Sequence, residues 1–113
     1  TKIIELIKVL GLETIFHNKK INLNMSINEI SSNLSGGEKQ RISLIREVLL
    51  KPDILILDEA TSALDTISLK KTINFLNKIK NETTLIIFTH QKEFLKYNFN
   101  IYELKKNNIY LKK

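Results

Sequence analysis

The sequence predicts an α/β fold built on a parallel strand–helix–strand unit, and three observations predict it. One continuous apolar run, Ile54-Leu55-Ile56-Leu57, ends in the acids Asp58-Glu59. A second apolar run lies within Thr84–Thr89 and leads into His90. Between them, Leu69, Ile73 and Leu76 recur at helical spacing. Unbroken apolar runs of this kind are expected of strands buried on both faces. A helical crossover between two such strands is right-handed and leaves them parallel.

Each remaining element has its own signal. Ile3, Ile4, Ile7 and Leu10 give Lys2–Leu10 one apolar helical face, and Gly11 follows where a helix end favours positive φ. Leu12–Phe16 predicts a further turn. His17–Asn33 is polar and rich in Asn and Ser, and reads as loop with one short helical turn. A helix begins at Ser35, which stands three residues before Glu38 in capping-box spacing. Its core face is Ile42, Ile45 and Leu49, widened by Leu44 and Val48, and Lys51-Pro52 ends it. Asp65 is the N-cap expected for the crossover helix, which runs through Lys80 to Asn81. Lys92–Tyr97 predicts a short helix. Ile101–Leu104 and Ile109–Leu111 flank Lys105-Lys106-Asn107-Asn108 and predict a β-hairpin.

With 113 residues, 42% of them apolar, the chain is one domain or part of one. The absence of cysteine excludes a disulfide scaffold and a thiolate metal site. No apolar run approaches the length of a membrane span. No signal peptide is visible, and Thr1 is no natural start, so the sequence reads as an excised piece. The net charge of +6 is uneven: residues 69–113 hold ten Lys against three Glu. Lysine without arginine reads as a solvated surface, not a nucleic-acid footprint.

Parallel strands finish on the same edge of their sheet. Asp58-Glu59 and Thr89-His90 therefore converge at the carboxyl edge, where open α/β sheets bind ligands. Asp58 there suits a magnesium ligand. Glu59 suits a base that orients and deprotonates water. Taken singly, Asp58 reads as a strand-end cap, Glu59 as a solvated acid and His90 as an ordinary histidine; the chemistry lies in their convergence. His17 has no such context and reads as surface. Ser35-Gly36-Gly37 opens a helix, where free backbone N–H groups and missing β-carbons let a phosphate approach. A capping box explains Ser35 and Glu38. It explains two adjacent glycines poorly, since each costs a helix about 1 kcal/mol relative to alanine.

Together these residues resemble the nucleotide-binding domain of ATP-binding cassette (ABC) transporters. Leu34-Ser35-Gly36-Gly37-Glu38 is similar to the family's signature motif, and Ile54–Glu59 to its Walker B strand. Ser62-Ala63-Leu64-Asp65 is similar to its D-loop, and Thr89-His90 to its switch histidine. The resemblance implies the C-terminal half of a P-loop ATPase domain. Residues 1–50 would end a helical subdomain, and residues 51–113 would be part of a core with a parallel RecA-like sheet. It implies ATP and Mg²⁺, with Asp58 on the metal, Glu59 as general base and His90 on the γ-phosphate. Ser35, Gly36, Gly37 and Glu38 would bind the ATP held mainly by a second nucleotide-binding domain. Asp65 would sit at the interface between the two. Gln40 and Arg41 are assigned no direct catalytic role. The implied partners are that second domain and a transmembrane domain, at the cytoplasmic face of the cell membrane, with no nucleic acid.

The sequence also departs from the family. No Gly-x-x-x-x-Gly-Lys-Ser/Thr loop, glutamine loop or adenine-stacking aromatic occurs in these residues. The expectation is an ATPase in the full-length protein and an inactive piece here. Ile45 and Glu47 stand where transporters usually carry small residues. Asp58–Asp65 and Glu29 resemble exporters, though Asn28 and Ser31 replace expected glycines, so export is favoured over import. Two other classes compete. The C-terminal lobe of an SMC-type chromosome or DNA-repair ATPase would follow coiled-coil heptads, and residues 13–33 show none. A degenerate cassette would bind nucleotide without turnover, yet Asp58, Glu59 and His90 are all present. Finally, the edge of Thr84–Thr89 is expected to be open and apolar, and to recruit other chains.

Overall fold

The computed structural model describes residues 2–18, 22 and 24–112. Helix α1 (Lys2–Val9) turns Leu6 inward and closes on Gly11, which sits at φ +69°. The Gly11 N–H donates to the Lys8 carbonyl (3.0 Å) and the Leu12 N–H to the Ile7 carbonyl (2.9 Å). This is the Schellman closure, and it needs the left-handed conformation that glycine adopts without strain. Helix α2 (Glu13–Asn18) buries Ile15. Helix α3 (Ile27–Ser32) is the expected short turn. The part of the loop reading that falls on residues 19–21 and 23 lies outside the described residues.

Helix α4 (Gly36–Leu49) starts as predicted. The Glu38 N–H donates to Ser35 Oγ (3.2 Å) and the Ser35 N–H to Glu38 Oε1 (3.0 Å). Leu44 and Ile45 are buried, while Ile42, Val48 and Leu49 pack half-buried against the core. The helix stops at Leu50, and Lys51 takes φ +50° just before Pro52.

Strands β1 (Ile54–Asp58) and β2 (Thr84–Phe88) pair in parallel, from Ile54 opposite Thr84 to Asp58 opposite Phe88. Helix α5 (Thr66–Ile79) makes the crossover, with Asp65 as N-cap. It buries Ile73 and Leu76 as expected, and also Ser68, Thr72 and Phe75. After a 3₁₀ turn at Lys92–Lys96, β3 (Tyr102–Lys105) and β4 (Asn108–Leu111) form the hairpin. Its turn residues Lys106 and Asn107 both have positive φ, as a two-residue type I′ turn requires. One core joins the helices to the sheet, with Leu10, Leu12, Ile73 and Leu76 at its centre.

One expectation is corrected: neither strand is buried on both faces. Leu55 and Leu57 are buried, but Ile54 is 58% exposed, Ile56 61% and Phe88 58%. Leu85 and Ile87 are only half-buried. The pleat sends alternate side chains to opposite faces, and the core covers only one face of this two-stranded sheet.

Candidate active site

The site begins where β1 stops. Asp58 is the last residue of the strand. Glu59 extends the ladder once, its N–H donating to the Phe88 carbonyl (2.9 Å), and then turns away at φ +51°. Left-handed backbone costs a residue with a β-carbon on the order of 1–2 kcal/mol. It persists where the surroundings hold it, and such residues cluster at functional sites. The Glu59 side chain runs back along the rim, where Oε1 lies 3.4 Å from His90 Nε2. The His90 ring is 97% exposed and so available to a ligand. Among the described residues, no side chain engages the Asp58 carboxylate. The predicted convergence of Asp58, Glu59 and His90 on the carboxyl edge is thus the observed geometry.

The head of α4 lies beside the turn after Glu59. Ser35 and Gly36 are exposed, and Gly37 is buried. A β-carbon at Gly37 would stand 2.7 Å from the Ala63 carbonyl oxygen and 3.2 Å from Leu64 Cδ2. At Gly36 it would meet only the Ala63 methyl, at 3.4 Å. The glycine pair therefore divides in two. Gly37 lets α4 close onto the 59–63 turn, so packing does ask for it. Gly36 remains open to a ligand.

Asp65 is occupied as a cap: Ser68 donates its N–H to Oδ1 (2.8 Å) and its hydroxyl to Oδ2 (3.1 Å). That N–H above all, with help from the hydroxyl and the charge of Arg41, holds the Asp65 carboxyl below its ordinary value of 3.8. Glu29 also has a local task that the sequence reading missed. It completes a capping box with Ser26, accepting from the Ser26 N–H (2.9 Å) and hydroxyl (2.8 Å). The Ser26 N–H is the main reason the Glu29 carboxyl also lies below its ordinary value.

Three further residues organise the site. Gln40 reaches from α4 to the 59–63 turn, and Gln91 reaches the same turn from beyond His90. Arg41 is buried and donates to the carbonyls of Leu10 (2.9 Å), Gly11 (3.3 Å) and Gly37 (3.2 Å). It joins the end of α1 to the head of α4. One signal pointed to Arg41: a chain so rich in lysine retains arginine at only two positions, and a planar fork suits several carbonyls at once.

A sequence family described as ABC transporter matches residues 2–62, more than half of the chain. The chain belongs to the ABC transporter family. The matched residues include Leu34–Glu38 and Ile54–Glu59, which help to build the rim described above. An export ATP-binding/permease protein of Rickettsia typhi is 44% identical over 87 residues, covering 77% of this chain and 15% of its own. The microcin-J25 export ATP-binding/permease protein of Escherichia coli is 36% identical over 107 residues, 93% of this chain and 18% of its own. A methionine import ATP-binding protein of Clostridium acetobutylicum is 45% identical over 78 residues, 67% of this chain and 24% of its own. The chain thus spans less than a quarter of these relatives' length, and it matches the nucleotide-binding domain of ABC transporters.

Proposed function

We propose that this segment works within an ATP-hydrolysing domain that powers transport across a membrane, with export as the direction. The observation that carries the reading is the Glu59–His90 contact of 3.4 Å on the rim that Asp58 shares. Glu59 acts as general base: its carboxylate takes the proton from the water that attacks the γ-phosphate. His90, almost fully exposed, holds that phosphate in line. The bond to ADP breaks as the bond to water forms.

Asp58 is the residue that would hold Mg²⁺. The donor set fits, because magnesium keeps several waters and needs only one or two carboxylates beside the phosphates. Among the described residues no group of three or more His, Cys, Asp and Glu encloses a metal by itself. When bound, Mg²⁺ neutralises charge on the β- and γ-phosphate oxygens.

Ser35 and Gly36, exposed at the head of α4, suit the γ-phosphate of an ATP carried mainly by a second nucleotide-binding domain. The other partner is a transmembrane domain, at the cytoplasmic face of the membrane. Export is supported by the exporter-like stretch Asp58–Asp65 and by the similarity to the Rickettsia and E. coli exporters, while methionine importers align with comparable identity over 78 and 97 residues. The transporter reading is favoured over an SMC-type lobe because α1, α2 and α3 are short, with 8, 6 and 6 residues, and among the described residues they form no coiled coil.

The test uses the complete polypeptide. Glu59→Gln should lower ATP turnover by about 10²–10⁴ and leave ATP binding intact. An unchanged rate would overturn the reading. Residues 1–113 alone should show no turnover, since nothing in them replaces the lysine of a phosphate loop. Uptake into inverted vesicles, in preference to right-side-out ones, would support export.

A further inference from the structure

We propose that Gln40 is a positioning residue for Glu59 and carries the position of α4 into the catalytic turn. The inference rests on reading Glu59 as the general base. The Gln40 amide is fully used. Nε2 donates to the Glu59 carbonyl (3.1 Å) and to Ser62 Oγ (3.1 Å), while Oε1 accepts from the Ala63 N–H (3.0 Å). One side chain of α4 thus holds three residues of the turn, through both of its donor hydrogens and its acceptor.

The turn needs such a brace. Glu59 sits at φ +51°. Within residues 59–64 the backbone supplies two bonds, Ser62 N–H to Glu59 O and Leu64 N–H to Thr61 O, each long at 3.2 Å. On the other side, Gln91 donates to the Thr61 carbonyl (3.0 Å) and accepts from the Thr61 hydroxyl, while its own N–H donates to Thr89 Oγ1 (3.0 Å). Two amides therefore hold the turn, one from α4 and one from the segment carrying His90. If the turn relaxes, the Glu59 carboxylate loses its place opposite His90. Gln40 also lies four residues after Gly36, on the same face of α4. A phosphate captured at Ser35 and Gly36 would be felt, through Gln40, at the Glu59 peptide.

The test is made in the complete polypeptide, first with Gln40→Met, which keeps length and helix propensity but removes every hydrogen bond. We expect kcat to fall about tenfold or more while KM for ATP changes less than about twofold. In a Glu59→Gln background the same change should leave the residual rate within about twofold. Amide hydrogen exchange at Ala63, whose acceptor is Gln40, should accelerate in Gln40→Met. Gln40→Glu keeps that acceptor but cannot donate to Glu59, so it should retain slow Ala63 exchange and still lose kcat. Thermal melting of each variant near the parent's keeps the comparison to folded protein. An unchanged kcat in both variants overturns the proposal. So does an equal further loss in the Glu59→Gln background, which would mean a purely structural role. A parent without Glu59-dependent turnover would remove the general-base reading, and this inference with it. A parent that does turn over, beside an unimpaired Gln40→Met, would remove this inference alone.

Discussion

Replacing Gly37 with alanine should destabilise the fold where replacing Gly36 does not. The two glycines are the first residues of α4, so the gain in helix propensity, at most about 1 kcal/mol, is similar for both and cancels in the comparison. What remains is the contact. At Gly36 the new methyl meets the Ala63 side chain at an ordinary 3.4 Å. At Gly37 it would stand 2.7 Å from the Ala63 carbonyl oxygen, a backbone atom in a turn pinned by Gln40. Overpacking of that kind costs about 1–3 kcal/mol. With a urea m-value of about 2 kcal/mol per molar, a central figure of about 2 kcal/mol separates the two unfolding midpoints by about 1 M. The assay is urea unfolding of residues 1–113 followed by far-UV circular dichroism, at one protein concentration at which sedimentation shows each variant monomeric, with the m-values required to agree. Coincident midpoints would refute the claim that Gly37 is there for close approach.

Arg41→Lys keeps the charge but not the planar fork over three carbonyls, and should lower unfolding stability by about 2–3 kcal/mol; Arg46→Lys, at an exposed pair, should change it little. Because the Asp65 carboxyl lies lower in the folded chain than its ordinary 3.8, its capping stabilisation is present above that value and is lost as pH falls through the folded one. Asp65→Asn should match the parent's urea midpoint in acid and fall behind only as pH rises. Ile56 and Phe88 lie on the uncovered face of the sheet, so residues 1–113 should self-associate, and Phe88→Lys should reduce this in sedimentation. Slow hydrogen exchange at Leu85 and Ile87, whose amides the parallel register directs away from β1, in a verified monomer would count against that expectation.

Features governed by a few neighbouring residues were legible in the sequence. Ser35 with Glu38, Asp65 ahead of Thr66, and Gly11 after Leu10 each announced a helix boundary, because capping chemistry lies within one turn of chain. The rim was legible for a different reason. Once two strands are parallel, topology alone brings Asp58, Glu59 and His90 to one edge. Local pattern could not reveal what lay across the fold. An unbroken run at Ile54–Leu57 says that both faces are apolar, not that both are covered, and here Ile54 and Ile56 face outward. The reason for Gly37 lies 26 residues further along the chain, at Ala63. The partners of Gln40, and the Leu10 and Gly11 carbonyls that Arg41 meets, are similarly remote, and helical spacing gave neither residue a task. The positive φ of Glu59 was not legible either, since no glycine or asparagine stands at that position to announce it.

Arg41 gives α4 a mechanical character. A single guanidinium grips the tail of α1 and the carbonyl of Gly37, two residues beyond the serine that caps α4. The two helices are thereby yoked like the arms of a crank. A pull on the head of α4 would therefore be shared with the end of α1 through the same side chain.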